Sequence, residues 1–114
     1  MEEKINEISM TIILHAGDAR KLIMEALTDI GDTKFKEADE KLIEAKNEIN
    51  LAHKAQTNTI QEEASGNKQS FSLLFSHAQD TLMTISSEWN IAKKMIEIFT
   101  KYEARLESLE YDKK

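Results

Sequence analysis

Proline is absent from this 114-residue chain, and glycine occurs only at positions 17, 31 and 66. Proline breaks a helix by removing an amide donor and crowding the preceding turn; glycine weakens one through its backbone entropy. A chain with so few interruptions is free to run as long helices. Gly31 ends an apolar-periodic segment and precedes Asp32-Thr33, which reads as a C′ glycine followed by N-cap residues. Gly66 repeats the arrangement, with Asn67 or Ser70 as the next cap. The expected helices are 3–30, 33–64 and 69–109, in one domain spanning 1–114. Gly17 falls inside the first helix, where it costs about 1 kcal/mol against alanine, so close packing is expected there.

Apolar residues recur at alternating spacings of three and four in each segment. Helix I carries Ile5, Ile8, Ile12, His15, Ala19, Leu22 and Ala26. Helix II carries Phe35, Ala38, Leu42, Ala45, Ile49, Ala52 and Gln56. Helix III carries Phe75, Ala78, Leu82, Ile85, Trp89, Ala92, Ile96 and Phe99. Sustained 3–4 spacing predicts near-parallel helices with coiled-coil-like packing, and short loops make consecutive helices antiparallel neighbours. The fold class is therefore all-α, a three-helix antiparallel up-down bundle. Helix I has a second stripe, Ile13, Ala16, Ile23, Leu27 and Ile30, and so does helix III: Leu73, His77, Asp80, Thr84, Ile91, Met95, Ile98 and Tyr102. At ~1.5 Å per residue helix III would be about 60 Å long and helix I about 42 Å. The double stripe and the overhang together predict oligomerisation through helix III.

Composition removes several classes of function. There is no cysteine, which excludes disulfides, thiolate metal sites and cysteine nucleophiles and agrees with a reducing, cytoplasmic setting. A net charge of −6 argues against nucleic acid as the main partner. No apolar run approaches the ~18 residues of a membrane span, and Met1-Glu2-Glu3-Lys4 is not the basic start of a signal peptide.

The chemistry concentrates in Ser76-His77-Ala78-Gln79-Asp80-Thr81-Leu82-Met83-Thr84, a polar cluster within an apolar helical pattern. Placed in an interior it would carry a desolvation cost. A Ser76–His77–Asp80 triad fails on geometry, because adjacent helical residues point about 100° apart. His77 and Asp80, at i and i+3, do share a face. A neutral imidazole has one nucleophilic nitrogen, able to accept a phosphoryl group; the alternative is a satisfied seam histidine. Asp80 must be paired, hydrogen-bonded, metal-bound or simply solvated. About a three-fold axis three such carboxylates would repel, and a hard divalent cation would relieve them. Gln79 is a candidate donor to phosphoryl oxygens, and Phe71, Leu74 and Phe75 suit the core better than a docking surface. Gln56, on a seam, sets register or bonds the helix III cluster. His15 reads as a seam residue.

Three blocks then resemble one family. They are His15-Ala16-Gly17-Asp18-Ala19-Arg20 with Glu25-Ala26-Leu27, Ala52-His53-Lys54-Ala55-Gln56-Thr57 with Glu63-Ala64-Ser65-Gly66, and His77-Ala78-Gln79-Asp80 with Leu82-Met83-Thr84. In this order, over nearly the whole chain, they resemble the enzyme IIA component of the lactose/cellobiose (N,N′-diacetylchitobiose) class of the bacterial sugar phosphotransferase system. The resemblance implies a homotrimeric nine-helix bundle. It implies that His77 accepts a phosphoryl group on Nε2 from phospho-HPr and passes it to the cysteine of enzyme IIB. It also implies that Asp80 from each subunit meets at the trimer axis around a divalent cation, Mg2+ being the expected ion. The family usually reads His-x-x-Asp-His, and Thr81 stands where the second histidine belongs.

Two rival readings carry different signatures. A helical adaptor that binds partners without sugar transport would tolerate loss of His77. A carboxylate-type metal bundle needs Glu-x-x-His pairs, and Ile12, Asn50 and Leu74 occupy the required positions ahead of His15, His53 and His77.

Overall fold

The computed structural model describes residues 2–67 and 71–112. Its elements are α1 (Glu2–Gly31), α2 (Phe35–Ala64) and α3 (Leu73–Asp112), with no strand among the described residues. Cross-helix contacts set the topology. Lys4 meets Glu62, His15 meets Glu48 and Asp29 meets Lys41, so α1 and α2 run antiparallel. The Trp89 indole N–H donates to the Leu42 carbonyl at 2.7 Å, and Lys93 pairs with Asp39, so α2 and α3 are antiparallel as well. Arg20 donates through two nitrogens to Glu88, joining α1 to the parallel α3. The result is the expected up-down bundle, 69 Å long and 20 × 19 Å across.

The core follows the predicted seams. Ile12, Ile23, Leu42, Ile49, Leu82 and Ile85 are almost fully buried, each contributing roughly 1.5–3 kcal/mol relative to exposure. Ala16, Ala19, Ala26, Ala38, Ala45, Ala52, Ala78 and Ala92 fill the positions between them. Both α1 stripes are covered. Phe99, assigned to the α3 seam, is instead 47% exposed, because it lies near the end of α1 where the bundle opens. Two polar residues join the core unforeseen. Ser9 and Thr59 bond back to the carbonyls four residues earlier, Ile5 and Ala55, which satisfies each hydroxyl locally.

The helix ends depart from expectation in informative ways. Gly66 is a C′ residue at φ 103, with Gly66 N–H donating to the Glu63 carbonyl and Asn67 N–H to Glu62, a Schellman motif. Gly31 does not play that part. α1 runs through it, and Thr33 takes the left-handed turn at φ 60, with Thr33 N–H donating to Ile30 and Lys34 N–H to Asp29. Asp32 and Thr33 therefore do not cap α2, whose N-cap is Lys34 without a side-chain bond. The turn is held instead by Asp29, buried and 2.7 Å from the Lys41 ammonium. That hydrogen bond raises the Lys41 pKa above its ordinary 10.5. Its contribution to folding is therefore complete below pH 10.5 and fades as pH climbs through the raised value.

α3 begins later than expected, at Leu73, and continues to Asp112. The expected start at 69 and the cap Ser70 lie outside the described residues; Asn67 is no cap, since its amide closes the α2 turn. Ser72 Oγ caps the helix by accepting from the Phe75 amide at 3.1 Å. Gly17 is exposed, with nothing within 4 Å of where a Cβ would stand, so no close packing within the protomer explains it.

The two turns make opposite predictions. Left-handed backbone costs a side-chain-bearing residue roughly 1–2 kcal/mol. Thr33→Gly should raise stability by about 1 kcal/mol and Gly66→Ala should lower it by a similar amount, measured by urea denaturation.

Candidate functional site

His77 sits on the second turn of α3, just past the Ser72 cap. Its side chain is exposed, and its ring has no hydrogen-bond or ion-pair partner among the described residues. It is not the satisfied seam histidine. Core packing uses the opposite side of the helix, through Ala78, Leu82 and Ile85. Asp80, on the same face one turn along, is also exposed, and its carboxylate has no partner among the described residues. The polar cluster therefore carries little desolvation cost within a protomer.

The hydroxyls beside these residues turn inward on their own helix. Thr81 Oγ1 donates to the His77 carbonyl at 2.8 Å, and Thr84 Oγ1 donates to the Asp80 carbonyl at 2.9 Å. Each takes up a backbone acceptor and leaves the imidazole and carboxylate unencumbered. Thr81 thus offers no second ring beside His77.

Gln79 is not placed for the role suggested for it. Residues at i and i+2 do not face each other on a helix. Gln79 lines a cleft of about 300 Å³ with Ser76, Phe75, Ser72 and Phe71, against Ile5, Thr59, Ile60 and Glu63. His77 is not among the residues lining that cleft. Phe71 is 86% exposed at its rim, so it is not core; Leu74 and Phe75 are half-buried. On the other flank, His53, Gln56, Leu82, Met83, Ser86, Ser87 and Asn90 line a groove of about 310 Å³. Gln56 Oε1 is buried there without a hydrogen-bond partner among the described residues, so within these it neither bonds the α3 cluster nor forms a register-setting pair.

The second α3 stripe is the largest departure from a self-sufficient fold. Leu73, Ile91, Ile98 and Tyr102 are all exposed, Leu73 at 76%. On α1, Met24 is exposed beside them, and Ile23, Leu27, Ile91, Ala92 and Met95 line a shallow apolar groove between the two helices. The protomer does not hide both faces of α3: the core takes Ala78, Leu82, Ile85 and Ala92, Met95 is partly covered, and Leu73, Ile91, Ile98 and Tyr102 stay exposed. Periodicity had marked this stripe as the second one, without telling whether the protomer covers it.

A bundle with an accessible, unpartnered imidazole on an open helix face has the build of a group carrier rather than of an enzyme with an enclosed substrate pocket. The chain belongs to the lactose/cellobiose-specific IIA subunit family of the phosphotransferase system, whose family model matches residues 7–100. It is 40% identical over 101 residues to the lichenan-specific phosphotransferase enzyme IIA component of Bacillus subtilis, covering 89% of this chain and 92% of that one. Among solved structures it is similar to the cellobiose-specific enzyme IIA of Bacillus anthracis, with a TM-score of 0.82, 43% identity and coverage of 86% and 90%. It is similar also to the IIA(Chitobiose) chain of an Escherichia coli complex with HPr, with a TM-score of 0.77, 30% identity and coverage of 87% and 96%. The resemblance of the three sequence blocks is thereby established, and the protein is a phosphotransferase-system component of the phosphoryl-carrier type.

Because the His77 side chain is exposed and has no polar partner among the described residues, His77→Ala should change folding stability by no more than about 0.5 kcal/mol, read by chemical denaturation.

Proposed function

We propose that His77 is the phosphoryl acceptor, taking the group from phospho-HPr and giving it to the cysteine of enzyme IIB in a cytoplasmic sugar-uptake relay. The observation that supports this most is the exposed, unpartnered imidazole within His77-Ala78-Gln79-Asp80 on a chain of this family. The Nε2 lone pair attacks phosphorus as its bond to HPr breaks, and the Nδ1 hydrogen is retained. In the second step the thiolate of enzyme IIB attacks the same phosphorus and the N–P bond breaks. Two proteins must reach one nitrogen in turn, so an open site is required. Catalysis lies mainly in positioning and in stabilising charge around an in-line transfer. HPr as donor agrees with the solved complex of a relative that covers most of this chain.

The reading includes a homotrimer assembled through α3 as a nine-helix bundle. The exposed apolar residues of the second α3 stripe, Ile91, Ile98 and Tyr102, are the surface such an assembly would bury. Asp80 lies on that stripe with its carboxylate unengaged, so the residues present suit a divalent cation shared between three subunits. Mg2+ prefers oxygen donors and retains water, and three carboxylates would hold it. It would supply charge neutralisation at the axis, and His77 is left to the transfer itself.

Two measurements test this. Phospho-HPr with Mg2+ should label the wild-type chain and leave His77→Ala unlabelled; a wild type that stays unlabelled under conditions that label another family member ends the carrier reading. Asp80→Leu should abolish Mg2+ binding yet still sediment as an oligomer, since an apolar residue can fill the axis. A wild type that sediments as a monomer with Mg2+ present contradicts the axial arrangement.

A further inference from the structure

A second cluster of metal-ligating groups lies away from His77, at the middle of the α1–α2 contact. His15 and Asp18, one turn apart on α1, face Glu48 of α2, and one donor atom from each lies within 4.8 Å of the other two. His15 Nδ1 is already 2.6 Å from Glu48 Oε2. These two side chains are about 30% exposed, while Asp18 is open to solvent. Arg20 of the same block is engaged with Glu88 on α3, and Asp18 has no ion-pair partner among the described residues. Behind the cluster, Ala16, Ala19, Ala45 and Ala52 are fully buried, so both helix backbones are anchored by packing.

We infer that His15, Asp18 and Glu48 form a binding site for a borderline divalent transition metal, with Zn2+ as the representative ion. One imidazole nitrogen and two carboxylate oxygens match the donors Zn2+ prefers in three-ligand sites that keep a fourth position open. Zn2+ at ~2.0–2.2 Å from each donor sets donors roughly 3.3 Å apart. The His15–Glu48 pair is already closer than that, and the exposed Asp18 is free to turn inward by a rotamer change. On binding, the proton shared between Nδ1 and Glu48 is displaced, and the metal takes its place between the same two atoms. Mg2+ is a poor competitor, because it favours an all-oxygen shell. The site is therefore chemically distinct from the oxygen-only position proposed at Asp80. It bridges two helices of one protomer and needs neither an oligomer nor a phosphoryl donor, so its test is independent of the carrier reading.

The arrangement escaped the sequence reading for two reasons. The pattern sought was Glu-x-x-His, and here the order on α1 is reversed, His15-x-x-Asp18. The third ligand is contributed from 33 positions along the chain.

The test is isothermal titration of ZnCl2 into the full chain carrying Asp80→Leu, which removes the axial carboxylates. The expected result is one saturable Zn2+ per chain with a raised melting temperature, and no comparable response to MgCl2. Asp18→Asn, at an exposed position that leaves the fold intact, should weaken Zn2+ by more than the roughly 10- to 100-fold cost of losing an outer-shell partner. His15→Ala and Glu48→Gln should do the same, and His53→Ala should bind as before. Two outcomes overturn the proposal. One is the absence of saturable binding, which leaves His15 and Glu48 as a hydrogen-bonded clasp only. The other is binding unchanged by Asp18→Asn and His15→Ala, which places the ion elsewhere.

Discussion

The molecule depends on an interhelical seam in which alanine alternates with isoleucine or leucine. Ala16, Ala19, Ala26, Ala38, Ala45, Ala52, Ala78 and Ala92 let the helices approach, and Ile12, Ile23, Leu42, Ile49, Leu82 and Ile85 fill the space between them. Alternating small and large side chains gives interdigitation without voids, and it commits one face of each helix to the interior. Polar links at the seam's edges then fix register. Trp89 reaching the Leu42 carbonyl, Lys41 on buried Asp29 and Arg20 forked onto Glu88 join each pair of helices in turn.

The seam also explains where chemistry can occur. A helix has about three and a half residues per turn, so committing Ala78, Leu82 and Ile85 to the core obliges His77 and Asp80 to point away from it. The imidazole is reachable because the residues around it do the packing. Thr81 and Thr84 bend back onto helix carbonyls and compete with neither group. An open imidazole on a rigid helix is accessible to a protein partner, as the proposed relay requires.

Much of the fold was legible in the chain. The seams, the number of helices and the position of the second turn follow from period and from Gly66. The first turn misled, because Gly31 looked like the obvious C′ residue and the chain instead places Thr33 in the left-handed region. That choice is set by the Asp29–Lys41 contact and by the Schellman bonds that close on Asp29 and Ile30, which join residues of two helices. The start of α3 was misplaced for a simpler reason. Several serines and an asparagine compete as caps, and among the described residues it is the Ser72 hydroxyl that reaches an amide of the helix.

The sequence marked His77 and Asp80 as candidates, and the structure adds that both are exposed. His77 and Asp80 share a face by spacing alone, and the blocks around them carry the family. Spacing gave helix III a core seam and a second stripe without telling whether the bundle hides both, since a helical period is blind to which neighbour covers which face. Gln79 was a plausible ligand donor by proximity in sequence, and its place in the cleft beyond Ser76 removes it from that role. His15, read as an ordinary seam residue, acquires a partner only when α2 folds back to bring Glu48 beside it.

By itself the sequence determined the helices, their apolar periods, the family and the helix face that His77 and Asp80 share. Those properties are local, and a single helix with its period contains them. Only the tertiary structure decided that the second stripe of α3 stays uncovered, which residue turns the chain between α1 and α2, and that Asp18 and His15 stand opposite Glu48. Each depends on two helices meeting, and the energy that selects among the possibilities is the burial of one face against another.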